Sequence, residues 1–313
     1  MDIKIVQEIL AKHYNIKSLK ISPAVTGLYN RTFIVETVEG KCVARIYASN
    51  RTKSQILFEL KISDLLRKKG FPTPKIFLNT NNKQLTQATI NNKQRNIIVM
   101  EFMPGRPLRK TDVGMARALA KEQALMHQVL RKIKPRQFKF KVLGLWFKWS
   151  KEEIEKTKPE LKKYMIEEEY LQAFYDVKSR TEAKLKNLSR VPFAECHNDF
   201  FGNNIHIKNG KIVGILDFDN LTTSPLIFDV ANTLMLWLFQ VDHKHYKKII
   251  TQYVNTYNKY RKLSKLEQQL LPPLIEVRNF AVTNSLYAQG LTKQGRVRID
   301  KTLKFYKNFK LYT

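Results

Sequence analysis

The chain has 313 residues, with 56 Lys and Arg against 27 Asp and Glu, a formal net charge of +29 at pH 7. With 43% hydrophobic residues it can bury a substantial core, since a chain of about 300 residues hides roughly 75% of its unfolded surface on folding, and disorder as the main state is excluded. The longest apolar run, Leu234-Met235-Leu236-Trp237-Leu238-Phe239, is far short of the ~20 residues a membrane span needs; the start MDIKIVQEIL lacks a basic segment followed by an apolar block, and Cys42 and Cys196 are too few for a disulfide framework or a thiolate zinc site.

These features predict a soluble, cytoplasmic protein of two domains or one bilobal unit. Residues 4–13 read as a short helix. Thr32–Thr37 and Lys41–Tyr47 are β-rich runs around Glu39-Gly40, a hairpin that sets Arg45 across from Ile34. Ser54 to Lys69 reads as a helix with Ser54 as N-cap and Gly70 just past its end, and Pro72 and Pro74 stop it. A polar, Asn-rich stretch from Asn79 to Asn96 leads to a buried strand, Ile97–Phe102, and a turn, Met103-Pro104-Gly105-Arg106-Pro107. The expected boundary follows: residues 1–103 form a first lobe with a hinge at about 100–103, and residues 104–313 a second. Beyond it the pattern is mainly helical, near 111–130, 151–188, 224–240, 243–262 and 265–290, with Pro159 and Pro192 interrupting or ending the second of these. One short β segment, Asn204 to Phe218, is embedded among the helices. There is no internal repeat and no low-complexity tract.

The positive charge attracts nucleic acid and anionic membranes without specifying chemistry. Its densest stretches, Arg131–Lys141 and Lys293–Lys310, carry aromatics in the manner of a single-strand binder. A Lys-rich solvated face over buried aromatics reads the same. Without any nucleic-acid module signature, nucleic acid is not expected as the primary partner.

The chemistry concentrates in His197-Asn198-Asp199-Phe200-Phe201-Gly202-Asn203-Asn204 and the segment that follows, which ends in Ile215-Leu216-Asp217-Phe218-Asp219. Asn209-Gly210 between two apolar-rich runs is a strong hairpin signal. The register it implies pairs Ile207 with Ile212, Ile205 with Gly214 and Asn204 with Ile215. Side chains alternate along a strand, so Asp217 shares the face of Ile215 and Asn204, and the two become diagonal neighbours about 7–8 Å apart. A carboxylate and an amide oxygen so placed can converge on one hard cation, such as Mg²⁺. Asp199, in the loop feeding the hairpin, comes near the same point and can accept a hydroxyl proton or orient a hydroxyl for attack on phosphorus.

The pattern His197-x-Asp199-x4-Asn204, followed by a hairpin and Leu216-Asp217-Phe218-Asp219, resembles the aminoglycoside phosphotransferases and their relatives, the type II homoserine kinases and choline kinases. The resemblance covers roughly residues 20–290. It implies an α+β, bilobal, protein-kinase-like fold: a small mixed N-lobe with an antiparallel sheet and a larger, mainly helical C-lobe. It also implies ATP-dependent phosphoryl transfer to a hydroxyl, with Asp199 as base, Asn204 and Asp217 as magnesium ligands, His197 as a structural member of the catalytic loop, and Asp229 as the buried acid that braces that loop. His127, in Ala124-Leu125-Met126-His127, matches a family helix end and is expected to be a packed histidine.

On the nucleotide side, the stretch Thr26-Gly27-Leu28-Tyr29-Asn30-Arg31-Thr32 can fold over phosphates through backbone N–H groups, with Gly27 and Asn30 among its contacts. The family places a basic residue, often Lys, on the second strand of this hairpin, where it contacts phosphates and pairs with a helix Glu. Here that residue is Arg45, which keeps its charge and binds phosphate bidentately. Glu59 is the expected partner, because it lies in an apolar line with Ile56, Ile62 and Leu66, where an unpaired carboxylate is costly to bury. Adenine is expected against the backbone of Glu101 and Met103, as in the family's hinge.

Family substrates include aminoglycosides, homoserine and choline. A polycation needs a pocket rich in carboxylates, and the helix near 265–290 offers Glu267, Glu276 and Arg278. The text from Gly27 onward looks most like the homoserine kinase branch, whereas His197-Asn198-Asp199 also resembles choline kinases; the expected acceptor is an amino alcohol such as homoserine, with Arg278 as the cation for its carboxylate. The alternatives are an aminoglycoside, choline, or a basic nucleotide-binding scaffold without turnover.

Overall fold

The computed structural model describes residues 3–24, 30–133, 151–290 and 295–309. In chain order the helices and strands begin with α1 (Ile3–Tyr14), β1 (Lys20–Pro23), β2 (Arg31–Thr37), β3 (Gly40–Ile46) and α2 (Lys53–Lys68). Then come β4 (Ile76–Phe77), β5 (Thr86–Ile90), β6 (Lys93–Glu101), β7 (Arg106–Pro107) and α3 (Ala116–Leu130). After these follow α4 (Lys151–Lys163), α5 (Glu167–Leu185), β8 (Phe193–Cys196), β9 (Ile205–Lys208), β10 (Lys211–Ile215) and β11 (Thr222–Pro225). Four helices complete the series: α6 (Leu226–Leu238), α7 (Tyr246–Tyr260), α8 (Lys265–Ala288) and α9 (Gly295–Phe309).

The chain forms two compact units, Met1–Leu108 with Asn203–Asp219, and Arg109–Gly202 with Asn220–Thr313. In the first, six strands build an antiparallel sheet in the order β1-β2-β3-β6-β4, with β5 also paired to β6. Strand alternation sends Phe33, Val35, Ala44, Ile46, Ile97 and Val99 to one face, where Val6, Ile9 and Leu10 of α1 cover them. Tyr47 and Ile98 go to the other, against Ile56 and Leu60 of α2.

Two expected details of this unit are corrected. The β2–β3 loop is Val38-Glu39, not Glu39-Gly40: Thr37 pairs with Gly40, and Arg45 faces Thr32 rather than Ile34. Gly40 has φ +131°, a conformation only glycine adopts easily, so it opens the strand instead of closing the turn. Helix α2 is capped by Thr52, not Ser54; its hydroxyl accepts from Gln55 N, and the Gln55 side chain accepts from Thr52 N, a capping box. The Asn-rich stretch also holds a hairpin, β5–β6, turned by Asn91 and Asn92 at φ 49° and 59°. Asparagine tolerates that left-handed backbone.

A second sheet, β10-β9-β7, belongs to the same unit. Arg106 and Pro107, read from sequence as a turn, pair with Ile207 and His206. The approach is close: a Cβ at Gly105 would lie 2.6 Å from the Ile207 carbonyl oxygen, and Gly105 has φ +87°. Likewise a Cβ at Gly214 would lie 3.2 Å from Met103 Cβ.

The second unit is mainly helical. Of the residues of α6, all but Leu236 are buried, as in a core helix covered on every side, with Asp229, Asn232 and Thr233 among the buried residues. Strands β8 and β11 pair antiparallel, Cys196 opposite Thr222. Helix α4 keeps Pro159 inside it; the break before α5 falls at Met165, φ 53°. Much of the basic stretch 293–310 forms α9, whose Phe305 and Phe309 are buried and stack 5.3 Å apart; residues 134–141 of the other basic stretch lie outside the described residues. Among the described residues no helix is long and apolar enough to cross a membrane.

Candidate active site

In the first unit the site grows from the end of β10. The register there departs from expectation: Ile212 faces Ile207, but Gly214 faces His206 and Ile215 faces Ile205, with a bulge between Ile212 and Gly214. A bulge adds one residue to one strand and breaks strict alternation. Asn204 lies not on the strand but in the 3-10 turn Gly202–Asn204, and Asp217 sits past the strand end with φ 62°. The shared pleat face inferred from sequence is therefore not the geometry present. What joins the two positions is a backbone bond, Leu216 N to Asn204 O at 2.8 Å, which draws the residue before Asp217 onto Asn204.

Around Asp217 stands a cluster of three carboxylates and two guanidinium groups. Arg45 Nη1 donates to Asp217 Oδ1 at 3.1 Å and to Asp219 Oδ1 at 3.3 Å, and lies 4.0 Å from Glu59 Oε1. Glu59 has a nearer cation than the one expected: Arg51 Nη2 donates to its Oε2 at 2.9 Å, and Tyr47 OH donates to its Oε1 at 2.9 Å. Arg51 also donates to the Asp219 carbonyl at 3.0 Å. Asn30 donates its amide N–H to Asp219 Oδ2 and accepts at Oδ1 from Ala48 N, 3.0 Å. Gly27 lies outside the described residues.

The electrostatics follow from burial. Burial, and then Asp219, push the Glu59 carboxyl up to about 8 against the opposing pull of Arg45, Tyr47 and Arg51. Burial and the neighbouring Asp217 also raise the Asp219 carboxyl. Burial works against the charge of Arg45, but Asp217 and Asp219 more than offset it and hold the guanidinium charged. Arg51, Asp219 and Tyr47 were not singled out from sequence. Asp219 was visible only as the last letter of the Leu216–Asp219 pattern, and no local signal marked Arg51.

At the expected hinge, Glu101 ends β6, with its N–H bonded to Lys75 O at 2.8 Å and its carboxylate accepting from Lys75 N at 3.1 Å. Met103 is buried.

In the second unit, β8 and β11 frame the loop that carries Asp199. His197 is fully buried, its ring edge-on to Phe200 at 5.7 Å. Asn198 takes φ 59°, and the loop is tied around it: its N–H donates to Asp229 Oδ1 at 2.8 Å, and its amide donates to Cys196 O at 3.0 Å and Asn220 O at 3.2 Å. Asp199 O then accepts from Phe201 N at 2.9 Å. Asp229, at 0% exposure, also accepts at Oδ2 from His127 Nε2 at 2.8 Å. Arg278 of α8 lies over the Phe228 ring, 5.8 Å from its centroid.

A sheet unit and a helical unit bearing these loops make a kinase-like fold, and solved kinases share it. An amicoumacin kinase in complex with AMP-PNP and Ca²⁺ is similar at TM-score 0.74 with 18% identity, covering 100% of this chain and 94% of the other. A microcompartment-associated aminopropanol kinase is similar at TM-score 0.78 with 14% identity, covering 98% and 95%. The chain belongs to the phosphotransferase enzyme family, whose profile matches residues 20–263, and is a small-molecule kinase with an alcohol group as acceptor. In sequence it is 23% identical over 252 residues to the homoserine kinase of Bradyrhizobium diazoefficiens, covering 79% of this chain and 72% of the relative. It is 25% identical over 253 residues to that of Phenylobacterium zucineum, covering 79% and 73%.

Proposed function

We propose that the chain transfers the γ-phosphate of ATP, held as its magnesium complex, to the hydroxyl of a small amino alcohol, with homoserine the first candidate. The observation that carries this reading is the contact of Arg45 with Asp217 at 3.1 Å, which puts a guanidinium able to bind phosphate beside a carboxylate able to bind a metal ion. The donor set fits a hard divalent ion, because Asp217 and Asn204 offer oxygen ligands and Asp217 already holds positive charge in the form of the Arg45 guanidinium. Bound there, Mg²⁺ supplies charge neutralisation to the phosphate oxygens.

The remaining work falls to this chain's side chains. Arg45 donates to nucleotide phosphate oxygens, with Arg51 and Tyr47 keeping Glu59 in place behind it. Glu101 and Met103 offer backbone groups to adenine. Asp199 takes the proton of the acceptor hydroxyl, on a loop held by His197, Asn198 and Asp229. Arg278 is the candidate cation for an acceptor carboxylate. The homoserine kinases among the relatives support the choice of acceptor.

The test is magnesium-dependent ATP consumption by the purified protein across a panel of L-homoserine, other amino alcohols, choline and aminoglycosides. The highest kcat/KM is expected with L-homoserine. Turnover confined to an aminoglycoside or to choline overturns the choice of acceptor, and no consumption with any alcohol overturns the reaction.

A further inference from the structure

We infer that Arg261, acting through Tyr257, keeps His127 in its neutral Nε2–H form and thereby fixes the backbone of the loop that presents Asp199. Five side chains of the second unit lie in one buried line: Glu267, Arg261, Tyr257, His127 and Asp229 are between 0% and 4% exposed. Arg261 Nη2 donates to Glu267 Oε1 at 2.5 Å, and its Nε donates to the Tyr257 hydroxyl at 2.6 Å. Tyr257 OH meets His127 Nδ1 at 2.5 Å, and His127 Nε2 meets Asp229 Oδ2 at 2.8 Å. Asp229 Oδ1 receives the N–H of Asn198, the residue in left-handed backbone immediately before Asp199.

The direction of every bond is fixed from both ends, because the Asp229 carboxylate can only accept. A guanidinium can only donate. The Tyr257 oxygen therefore accepts from Arg261, and its own O–H is left to donate to His127 Nδ1. Nδ1 as acceptor makes His127 the neutral Nε2–H tautomer, which donates to Asp229. Asp229 then accepts at both oxygens, one of them from the loop. The Asp229 carboxylate already holds Nε2 as N–H, so Arg261 decides the other nitrogen. Without Arg261 the Tyr257 oxygen is free to accept from Nδ1–H, His127 takes up a second proton, and the imidazolium draws the Asp229 carboxylate away from Asn198 N.

Glu267 is itself fixed, since it closes a capping box with Ser264 at the start of α8. A second rung repeats the arrangement one turn earlier. Tyr253 OH donates to Gln123 Oε1 at 2.6 Å, and Gln123 Nε2 donates to Asp229 O at 3.2 Å and Thr233 Oγ1 at 2.9 Å. Ligand atoms of His127, Cys196 and Asp229 also lie within 4.8 Å of one another. Both ring nitrogens and both carboxylate oxygens are already in hydrogen bonds, so the arrangement shares protons instead of a metal ion. Arg261 and Tyr257 are accordingly positioning residues.

The test reads the tautomer directly, from the ¹⁵N spectrum of histidine-labelled protein, with His127 assigned by its absence in His127→Asn. The wild-type chain is expected to show the Nε2–H form. Arg261→Met is expected to mix in imidazolium, and Arg261→Lys to restore the neutral Nε2–H form. A wild-type spectrum of Nδ1–H or imidazolium overturns the inference even where a variant fails to fold, and so does an unchanged spectrum in Arg261→Met. The kinetic consequence rests on the kinase reading: Arg261→Met should lower kcat about tenfold or more while KM for ATP stays within about twofold. An unchanged kcat overturns the positioning role. A wild-type enzyme without turnover refutes the kinase reading instead and leaves the spectrum to decide the relay.

Discussion

Replacing Arg45 by Met removes one of two cations from a cluster that also holds Asp217, Asp219 and Glu59. Arg45 is 10% exposed and touches two carboxylates at 3.1 and 3.3 Å. Two unit charges about 4 Å apart interact by about 4 kcal/mol at an effective dielectric of about 20. Removing one partner of a buried pair costs about 3–5 kcal/mol, because the other charge is stranded. Asp217 and Asp219 are 30% and 20% exposed, so water screens part of the loss and the lower end, about 3 kcal/mol, is expected. Urea denaturation with and without Mg²⁺ measures it. The stranded carboxylates should bind the ion more tightly than in wild type, and a ligand at about 100 times its Kd restores about 2.7 kcal/mol. A loss below about 1 kcal/mol, or equal stabilisation of both proteins by Mg²⁺, refutes the view that Arg45 serves as the resident counter-cation of Asp217.

Gly105→Ala places a Cβ 2.6 Å from the Ile207 carbonyl oxygen at φ +87°, and should cost about 1–3 kcal/mol in the same urea assay; a neutral result contradicts the close packing of the 103–107 segment on β9. Thr52→Ala removes the cap of α2 and should cost about 1 kcal/mol, with Thr52→Ser recovering most of it; an unchanged midpoint in Thr52→Ala denies the capping role. Burial, only partly offset by Asp229, lowers the His127 imidazole, while the unfolded chain takes up the proton near pH 6.5. Stability from this group is therefore present above about pH 6.5 and lost as the pH falls, at no more than about 1.4 kcal/mol per pH unit. The groups facing it are Asp229 and Tyr257, with Arg261, Glu267 and Cys196 beyond. His127→Gln should flatten the fall below about pH 6.5; a variant as steep as wild type contradicts it.

The fold class was legible because its signals are local or periodic: alternating runs around residues 32–46, the Ser-to-Gly helix span near 54–70, and the apolar stretch of α6. Register was less so. Asn209-Gly210 placed the β9–β10 turn correctly, but nothing in Lys211–Ile215 announced a bulge, and one extra residue was enough to undo the alternation that linked Asn204 to Asp217. Strands β8 and β11 are four residues each and pair across a gap of some 25 residues, so neither carries a pattern by itself. Glu59 was rightly read as needing a cation, yet the nearest one, Arg51, comes from an irregular segment whose path only tertiary structure defines. The relay through Tyr257 and Arg261 escaped for the same reason: Tyr257 lies in α7 and Arg261 just past its end in extended backbone, and nothing local says which helix they meet.

The most direct measurement is mass spectrometry of the acceptor after incubation with ATP and Mg²⁺, for wild type and Asp199→Ala side by side. A phosphate monoester of L-homoserine is expected from wild type and none from Asp199→Ala, with ATP binding by calorimetry nearly the same in both. Equal product from the two proteins, or no phosphorylated alcohol from wild type, contradicts the assignment of this loop and cluster to phosphoryl transfer.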